Sequence, residues 1–463
     1  MPEQLYNGIV LPDKWPPRTI DCEGSDELPV PYLDNPPAVI PIDVGRQLFV
    51  DDFLIERTTL TRTFHAARVH PASPVLVPET ERELDRGFCP GAAPFNDGVW
   101  YDPEEGVFKM WYMHGWLRNV ALAVSRDGLA WERPSLDVVP GTNLVFDPPE
   151  GWRRDGCLVW RTAQAEGVDR YRMFVFFRRP DGEGGHLYRS PDGIHWNEAG
   201  RTSRCGDNTS FFHNPFRNRY VFSIRRGWPD RKRLYHEDAD FVRAGRWAAG
   251  DEVWWARADH RDKADPLVGD PPRLYDVNAV AYESIMLGAF NIMYGPENDA
   301  AIALAQPKII DMQLGYSRDG FHFSRPHRKA FIACSRKEGA WDRGYIHASG
   351  GLCLVVGEEL WFYYAAFSGE SEKLGPGDTG EARGRDHAIY AGASAGLAVL
   401  RRDGFVSMDA EADGGMLQTR PVVFKGRHLF VNAALDDGDL RAEVLDEDGM
   451  PVEPFTHDDC IPV

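Results

Sequence analysis

Ser125-Arg-Asp-Gly-Leu-Ala-Trp131 recurs as Ser190-Pro-Asp-Gly-Ile-His-Trp196 and again as Ser317-Arg-Asp-Gly-Phe-His-Phe323. A shorter copy follows at Arg402-Asp-Gly-Phe405. The first two copies begin 65 residues apart and the next interval is 127 residues, close to two periods, so we expect an eroded copy in Asp240–Trp255. A period of about 60 residues with strands throughout is typical of propeller blades.

The repeated motif has a structural interpretation. Asp-Gly is the favoured pair for a two-residue hairpin turn, in which both residues have positive φ. The Trp or Phe four residues after the Asp is then expected to pack between neighbouring units. The motif therefore predicts a scaffold element rather than a site of chemistry.

Five units share a pattern of a short strand, a turn and a strongly aromatic strand. The apolar residues run with period two or in short blocks, and no long helical pattern competes. We predict an all-β five-bladed β-propeller over residues 46–403, an extended Pro-rich N-terminal arm over 1–45, and a small C-terminal β-sandwich-like unit over 404–463. The aromatic strands are Val107–Tyr112, Tyr171–Phe177, Tyr220–Ile224, Ile285–Phe290 and Leu360–Tyr364, and those of the C-terminal unit are 422–424, 428–431 and 440–444.

The composition indicates the cellular compartment and excludes some classes of binding partner. The 463 residues carry a net charge of −19 without a Lys/Arg-rich run, which disfavours nucleic acid as a partner. Seven scattered Cys without a CxxC pair fit a reducing compartment and give no zinc spacing. There is neither a signal-peptide order at Met1–Leu11 nor an apolar run of membrane length, so we expect a cytoplasmic protein without a membrane partner.

The first strand of each unit lines the axis of a propeller, and three units begin that strand with a carboxylate. Alignment by the turns places Asp97, Asp155 and Asp207 at the same point, with Asn278 and Gly351 at that point in the last two units. Each Asp could simply cap a turn. Three carboxylates aimed at one volume are costly without a purpose, and glycoside cleavage needs two carboxylates in different roles.

Further candidates lie around this ring. Glu283 is a candidate general acid within an apolar stretch, and His347 is a candidate acid or channel ligand. Arg225, at a strand end like Arg178-Arg179, could grip an acidic sugar through its planar fork, or form a solvated ion pair. No cofactor is required, although converging carboxylates and His347 would also suit a structural divalent cation in the channel. The candidate sugar contacts are His70, Trp116, Arg225, Trp228, Asn278 and Trp341.

Several stretches resemble bacterial proteins related to glycoside hydrolase family 32. They include Phe95-Asn-Asp-Gly-Val-Trp-Tyr-Asp-Pro103, Tyr282-Glu-Ser284 and Gly315-Tyr-Ser-Arg-Asp-Gly-Phe-His322, and the resemblance covers about residues 45–460. The clan, with families 32, 43, 62, 68 and 117, shares a five-bladed propeller with acidic residues on its inner strands. The family-32 fingerprint Asn-Asp-Pro-Asn-Gly is absent, and Asn96-Asp97-Gly98 is a partial echo, so fructoside cleavage does not follow.

The resemblance also implies roles. Asp97 fits the first-blade nucleophile or base, and Asp155 fits the second-blade stabiliser. The third blade usually supplies a Glu as the acid, whereas this chain has Asp207, which leaves the general acid open between Asp207, Glu283 and His347.

The sequence therefore favours a glycoside hydrolase, exo-acting on the terminal sugar of an oligosaccharide or glycoside, with a furanoside among the candidates. Two other functions stay open. One is a carbohydrate-binding propeller without hydrolysis, and the other is a lyase or phosphorylase acting on an unusual glycoside.

Overall fold

The computed structural model describes residues 2–162, 167–226, 231–371, 389–435 and 438–462. The described chain is built mainly from strands, and its longest helix has seven residues. The helices are α1 (Pro31–Asp34), α2 (Glu81–Leu84), α3 (Phe241–Ala244) and α4 (Asn298–Leu304), with 3-10 turns at Asp85–Gly87 and Gly167–Asp169. None of the helices in the described ranges combines the length and the apolar character that a membrane crossing needs.

The described strands of the main body form five antiparallel units in chain order. Each of the five predicted aromatic strands lies within a strand of the structure. The units are β5 (Gly91–Asp102), β6 (Val107–His114), β7 (Asn119–Ser125) and β8 (Leu144–Phe146); β9 (Arg153–Arg161), β10 (Tyr171–Arg179), β11 (Gly182–Ser190) and β12 (Asn197–Arg201); β13 (Ser210–Asn214), β14 (Arg219–Arg226), β15 (Lys232–Asp238) and β16 (Val253–Ala256); β17 (Arg273–Tyr282), β18 (Ile285–Gly295) and β19 (Ile309–Ser317); and β20 (Gly344–Ala348), β21 (Leu354–Val356), β22 (Glu359–Phe367) and β23 (Ala393–Arg401).

The first strand of each unit lies against a strand of the neighbouring unit, in most cases the first one. β5 lies against β9, β13 lies against both β9 and β17, and β20 lies against β19 and β5. The fifth and first units join in one sheet with the order β20-β22-β23-β5-β6-β7-β8, through a short parallel pairing of Ala393 with Gly91 and Ser394 with Ala92. The first strands of successive units therefore surround a common centre.

The repeated Ser-x-Asp-Gly motif builds a capped turn, and the predicted hairpin with two positive φ values is wrong. Asp127 Oδ1 accepts hydrogen bonds from the N–H groups of Leu129 and Ala130, while only Gly128 has positive φ, at 75°. The side-chain oxygen thus accepts hydrogen bonds from backbone N–H groups that a hairpin would have paired with backbone carbonyl groups. The copies at Asp192 and Asp319 do the same, and the eroded copy predicted in 240–255 begins at Asp240, whose Oδ1 accepts from Val242 and Arg243.

These turns connect neighbouring units. An aromatic side chain of the preceding unit donates a hydrogen bond of 2.7 Å to a carbonyl of the turn: Tyr363 to Gly128, Trp111 to Gly193 and Trp255 to Phe321. The aromatic residue that ends the motif packs in the same gap, as predicted. Trp131 meets Tyr363 of the fifth unit edge-on, with ring centroids 5.7 Å apart.

The two terminal segments pair with each other, which corrects the predicted C-terminal unit. The N-terminal strands are β1 (Ile40–Pro41), β2 (Ile55–Thr58), β3 (Thr61–Phe64) and β4 (Arg68–Val69), and the C-terminal ones are β24 (Val406–Asp409), β25 (Leu417–Thr419) and β26 (Val422–Val423). β1 pairs with β26, β2 with β25 and β3 with β24. The N-terminal segment also buries its own apolar cluster, which includes Leu5, Tyr32 and Phe53.

The strands predicted at 428–431 and 440–444 are absent from the described C-terminal residues. Leu429 is 73% and Phe430 89% exposed, so this short apolar run has no sheet to pack against and does not form a strand.

Candidate active site

Four of the first strands carry a β-bulge facing the common centre. In β5 the register shifts between Ala93 and Gly98, and in β9 Asp155 and Gly156 together oppose a single residue of β10. The shift in β17 falls between Leu274 and Asp276, and that in β20 between Gly344 and His347. Bulges turn side chains away from the regular alternation and are common beside active sites.

The bulges surround a cavity of about 300 Å³. The described part of its wall contains two carboxylates, five cationic side chains and a group of aromatic rings. The lining residues are Asp155 and Asp207; Arg153, Arg178, Arg225, Arg231 and Lys308; Phe95, Trp116, Tyr275, Tyr345 and Tyr390; and Leu117, Asn208 and Asn298.

A second cavity of about 200 Å³ lies between the N-terminal segment and the third and fourth units. Its charged side chains neutralise one another, since Asp259 lies 3.0 Å from Arg325 and 2.6 Å from Arg328. The centre of the ring is therefore the better candidate for chemistry.

Asp155 and Asp207 are held by one guanidinium group. Arg178 Nε lies 2.9 Å from Asp155 Oδ2, and Arg178 Nη2 lies 2.6 Å from Asp207 Oδ2. Arg225 Nη1 lies 2.6 Å from the other oxygen of Asp207. The predicted convergence of carboxylates is thus present for these two residues.

The surroundings push the pKa values of the two carboxylates in opposite directions. Burial, together with the charge of Asp207, raises the pKa of Asp155 to about 6, against the attraction of Arg178. Burial also opposes ionisation of Asp207, but the charges of Arg225, Arg178 and Arg231 outweigh it and lower the pKa of Asp207. A carboxyl pair separated in this way supplies one acid and one carboxylate at the same pH.

Asp97 lies on the same ring of strands but does not line the cavity. It and Arg154 are both 0% exposed and form a two-pronged ion pair, with Oδ1 2.7 Å from Nη1 and Oδ2 3.3 Å from Nη2. Burial raises the pKa of Asp97 against the pull of Arg154. In the bulge of β5, Asn96 takes a φ of 68°, and Phe95 rather than Asp97 faces the cavity.

His347 and Asn278 form a buried layer beside this pair. His347 Nε2 lies 3.1 Å from Asp276 Oδ2, and burial lowers the pKa of His347 despite that carboxylate. The Asn278 amide donates to Asn96 Oδ1 at 2.6 Å. His347 therefore meets Asp276, not the three predicted carboxylates, and no group of three or more His, Cys, Asp or Glu in the described ranges is arranged to hold a metal ion.

The remaining candidates lie elsewhere or line the cavity without chemistry of their own. Glu283, with a φ of 49°, lies 2.8 Å from Arg46 of the N-terminal segment. His70 is half-buried and accepts a hydrogen bond from the N–H group of Ala72, and Trp341 packs on Tyr364, with ring centroids 5.9 Å apart. Trp116 does line the cavity, stacked 4.1 Å from Tyr390, while Trp228 lies outside the described residues.

Sequence reasoning missed most of the cationic and aromatic wall. In the sequence, Arg178 is one of two adjacent arginines at the end of a predicted strand, with no sign that it lines a site. Lys308 directly precedes β19 and belongs to no recognisable sequence motif. Tyr275 and Tyr345 occupy bulges, and their hydroxyl groups share a short hydrogen bond. Tyr345 holds a φ of 57°, which is costly for a residue with a side chain and is found mainly where a site requires it.

No protein-family model matches the chain, and no curated protein does. Solved structures similar to it include an N-acetylgalactosamine deacetylase from F. plautii in complex with blood group B trisaccharide, at 14% identity and a TM-score of 0.49, covering 74% of this chain and 95% of that one. A fructofuranosidase from Schwanniomyces occidentalis complexed with fructosylnystose has 11% identity and a TM-score of 0.43, covering 79% and 68%. A thermostable family-43 glycoside hydrolase has 12% identity and a TM-score of 0.45, covering 73% and 97%. A fructofuranosidase and a family-43 glycoside hydrolase are thus among the solved structures similar to this chain.

Proposed function

We propose that this protein is a glycoside hydrolase in which Asp155 is the general acid and Asp207 the ionised carboxylate. The observation that carries the proposal is the pair of carboxyl groups with opposite pKa shifts, held by Arg178 in one cavity. Glycoside cleavage uses one carboxylic acid to protonate the leaving oxygen and one carboxylate to activate water or attack the anomeric carbon. This assignment replaces the roles that the resemblance implies for Asp97 and Asp155.

The shape of the site supports exo-action on a terminal sugar. A cavity of about 300 Å³ is at the small end of ligand pockets and holds a small unit rather than a long chain. The aromatic faces of Trp116 and Tyr390 at its wall suit the apolar face of a sugar ring. We propose the terminal sugar of an oligosaccharide as the substrate, with furanosides included in the first screen.

The fold and the compartment are part of the same proposal. The five antiparallel units would be the blades of a closed propeller, which removes exposed sheet edges, and the cavity would lie on its axis. A cytoplasmic location stays a prediction of the Cys pattern. The proposed chemistry requires no cofactor, and a structural cation in the channel remains a prediction that metal analysis of the purified protein would check.

The test is a screen of nitrophenyl glycosides and oligosaccharides with the wild-type protein, Asp155→Asn and Asp207→Asn. Asp181→Asn is the matched control, because Asp181 is exposed in the turn that follows β10. Release of a monosaccharide that both site variants lose and the control retains would support the proposal. Release that neither site variant diminishes would overturn it, and stable binding of an oligosaccharide without cleavage would favour the carbohydrate-binding alternative.

A further inference from the structure

Among the residues that the structure describes, the cavity wall carries more positive than negative groups. Two carboxylates face five cationic side chains, and both carboxylates are already bound by Arg178 and Arg225. The chain as a whole has a net charge of −19, so a cationic cavity runs against its average composition. A charge of this sign in a site for a neutral sugar has no evident use.

Lys308 is the most unusual of these cations. Lys308 is 1% exposed, and its Nζ donates a hydrogen bond of 3.2 Å to Tyr390 Oη. The ring centroids of Tyr275 and Tyr345 lie 5.7 and 5.8 Å from Nζ. No Asp or Glu of the described ranges comes within ion-pair distance of it, whereas Lys109, which is also buried, lies 3.1 Å from Asp102. A buried ammonium group without a counter-charge is costly.

Four arginines line the described cavity wall with this lysine, and two of them, Arg231 and Arg225, suit an anion. Arg231 lies over the ring of Tyr275, 4.3 Å from its centroid. Arg225 donates to Asp207 through Nη1, while its Nε is buried and has no hydrogen-bond partner among the described residues. Planar guanidinium groups match the oxygens of carboxylate, sulfate and phosphate.

We propose that the ligand of this cavity carries an oxyanion, a carboxylate, sulfate or phosphate group, held by Lys308, Arg231 and Arg225. The inference rests on the proposed function, because it names the class of substrate for the same site. Two sources supply this chemistry: an acidic substituent of the sugar, or free phosphate that replaces water as acceptor. In the second case a phosphate oxygen bonds to the anomeric carbon, the glycosidic oxygen leaves with a proton, and a sugar phosphate forms.

The titration of Lys308 supports the same conclusion. Burial, with the charge of Arg231, lowers the pKa of Lys308 to about 7, and Glu297 and Asp207 oppose this while Arg225 adds to it. Tyr275, Tyr345 and Tyr390 are the other titratable groups that face it. An anion favours the ammonium form, so binding raises the pKa. Anion affinity is therefore full below pH 7 and falls by up to about tenfold per pH unit above it.

The experiment is isothermal titration of the wild-type protein with inorganic phosphate, sulfate and glucuronate, and with glucose as the neutral probe. Lys308→Gln is expected to weaken binding of the anion that binds by about 10- to 100-fold and to leave glucose unaffected. It should also abolish the loss of affinity above pH 7. Lys337→Gln, at an exposed lysine, is the control. If Lys308→Gln fails to fold by circular dichroism, Arg231→Gln takes its place with the same expected loss.

The outcomes separate the two sources and the two proposals. Glucuronate or sulfate binding without phosphate dependence supports an acidic sugar, and cleavage that requires phosphate and yields a sugar phosphate supports free phosphate. The inference would be overturned if phosphate, sulfate and glucuronate at millimolar concentration bound no better than glucose. It would also be overturned if an anion bound equally well to the wild-type protein and to Lys308→Gln. Anion binding that is undiminished in Lys308→Gln, together with glycoside cleavage that Asp155→Asn and Asp207→Asn lose, refutes the anion site and leaves the hydrolase standing. Anion binding that Lys308→Gln weakens, without any glycoside cleavage, does the reverse.

Discussion

Two neighbouring regions of the same ring of strands place Asp residues in very different surroundings. In the first, Asp97 is enclosed with Arg154, and both side chains are 0% exposed. In the second, Asp155 and Asp207 share Arg178, whose side chain is 41% exposed and opens to the cavity. Equivalent positions on aligned strands have therefore become a structural ion pair in one unit and a candidate catalytic pair in the next two.

The difference originates in the backbone. The bulge of β5 spans the residues from Ala93 to Gly98 and presents Phe95 to the cavity, while the shorter bulge of β9 presents Asp155. Because side chains alternate between the two faces of a strand, one extra residue decides which face a carboxylate occupies. We therefore expect the two regions to differ in function as they differ in geometry.

The largest effect is expected in the open region, which contains Asp155, Asp207 and Arg178. Asp155→Asn and Asp207→Asn should each lower kcat/KM by about 10²- to 10⁴-fold on a substrate found by the screen, because each removes a proton-transfer or charge role. Thermal melting temperatures should change little, since an amide still accepts a hydrogen bond from Arg178. Steady-state kinetics with Asp181→Asn as control measures this effect. Equal rates in all three variants would remove the distinction between the two regions.

The next largest effect is a loss of stability in the closed region, which contains Asp97 and Arg154. Asp97→Ala should lower the free energy of unfolding by about 3–5 kcal/mol, because it leaves the Arg154 guanidinium buried without a counter-charge. Urea unfolding measures the loss, and the folded fraction should keep its turnover. The double variant Asp97→Leu with Arg154→Met should recover much of the stability. If Asp97→Asn folds normally yet loses turnover, Asp97 belongs to the chemistry after all.

The sequence predicted more of the scaffold than of the site. The Ser-x-Asp-Gly repeat located the units, the eroded copy at Asp240 and the aromatic packing at Trp131, because short-range hydrogen bonds encode them. Asp155, Asp207, Arg225 and Trp116 do line the cavity. Lys308 and the tyrosines of the bulges were not foreseen, because neither a register shift nor an isolated buried lysine has a periodic signal. The terminal pairing was missed because β1 and β26 lie far apart in sequence.

A third prediction concerns the scaffold outside both regions. In Gly193, with a φ of 79°, an added Cβ would lie 2.4 Å from Trp111 Cζ2, whereas at Gly184 it would meet nothing within 4 Å. Gly193→Ala should therefore lower the free energy of unfolding by about 1–3 kcal/mol through overpacking and backbone strain. Gly184→Ala should change it by less than about 0.5 kcal/mol. Thermal or urea unfolding of the pair checks this, and equal stability of the two variants would contradict the role of the turn as a contact between units.

The smallest expected effect, of about tenfold per pH unit, most directly tests the roles within the open region. A carboxyl group with a raised pKa keeps its proton to higher pH, so an acid role for Asp155 requires kcat/KM to fall as the pH rises through about 6. Asp207, with its lowered pKa, stays ionised throughout this range and limits the rate only at the acidic end. The pH profile of kcat/KM measures both limbs, and the residual activity of Asp155→Asn should lack the alkaline one. A rate that instead rises through pH 6 would mean that Asp155 acts as the ionised group, which would leave the pair in place and exchange its two roles.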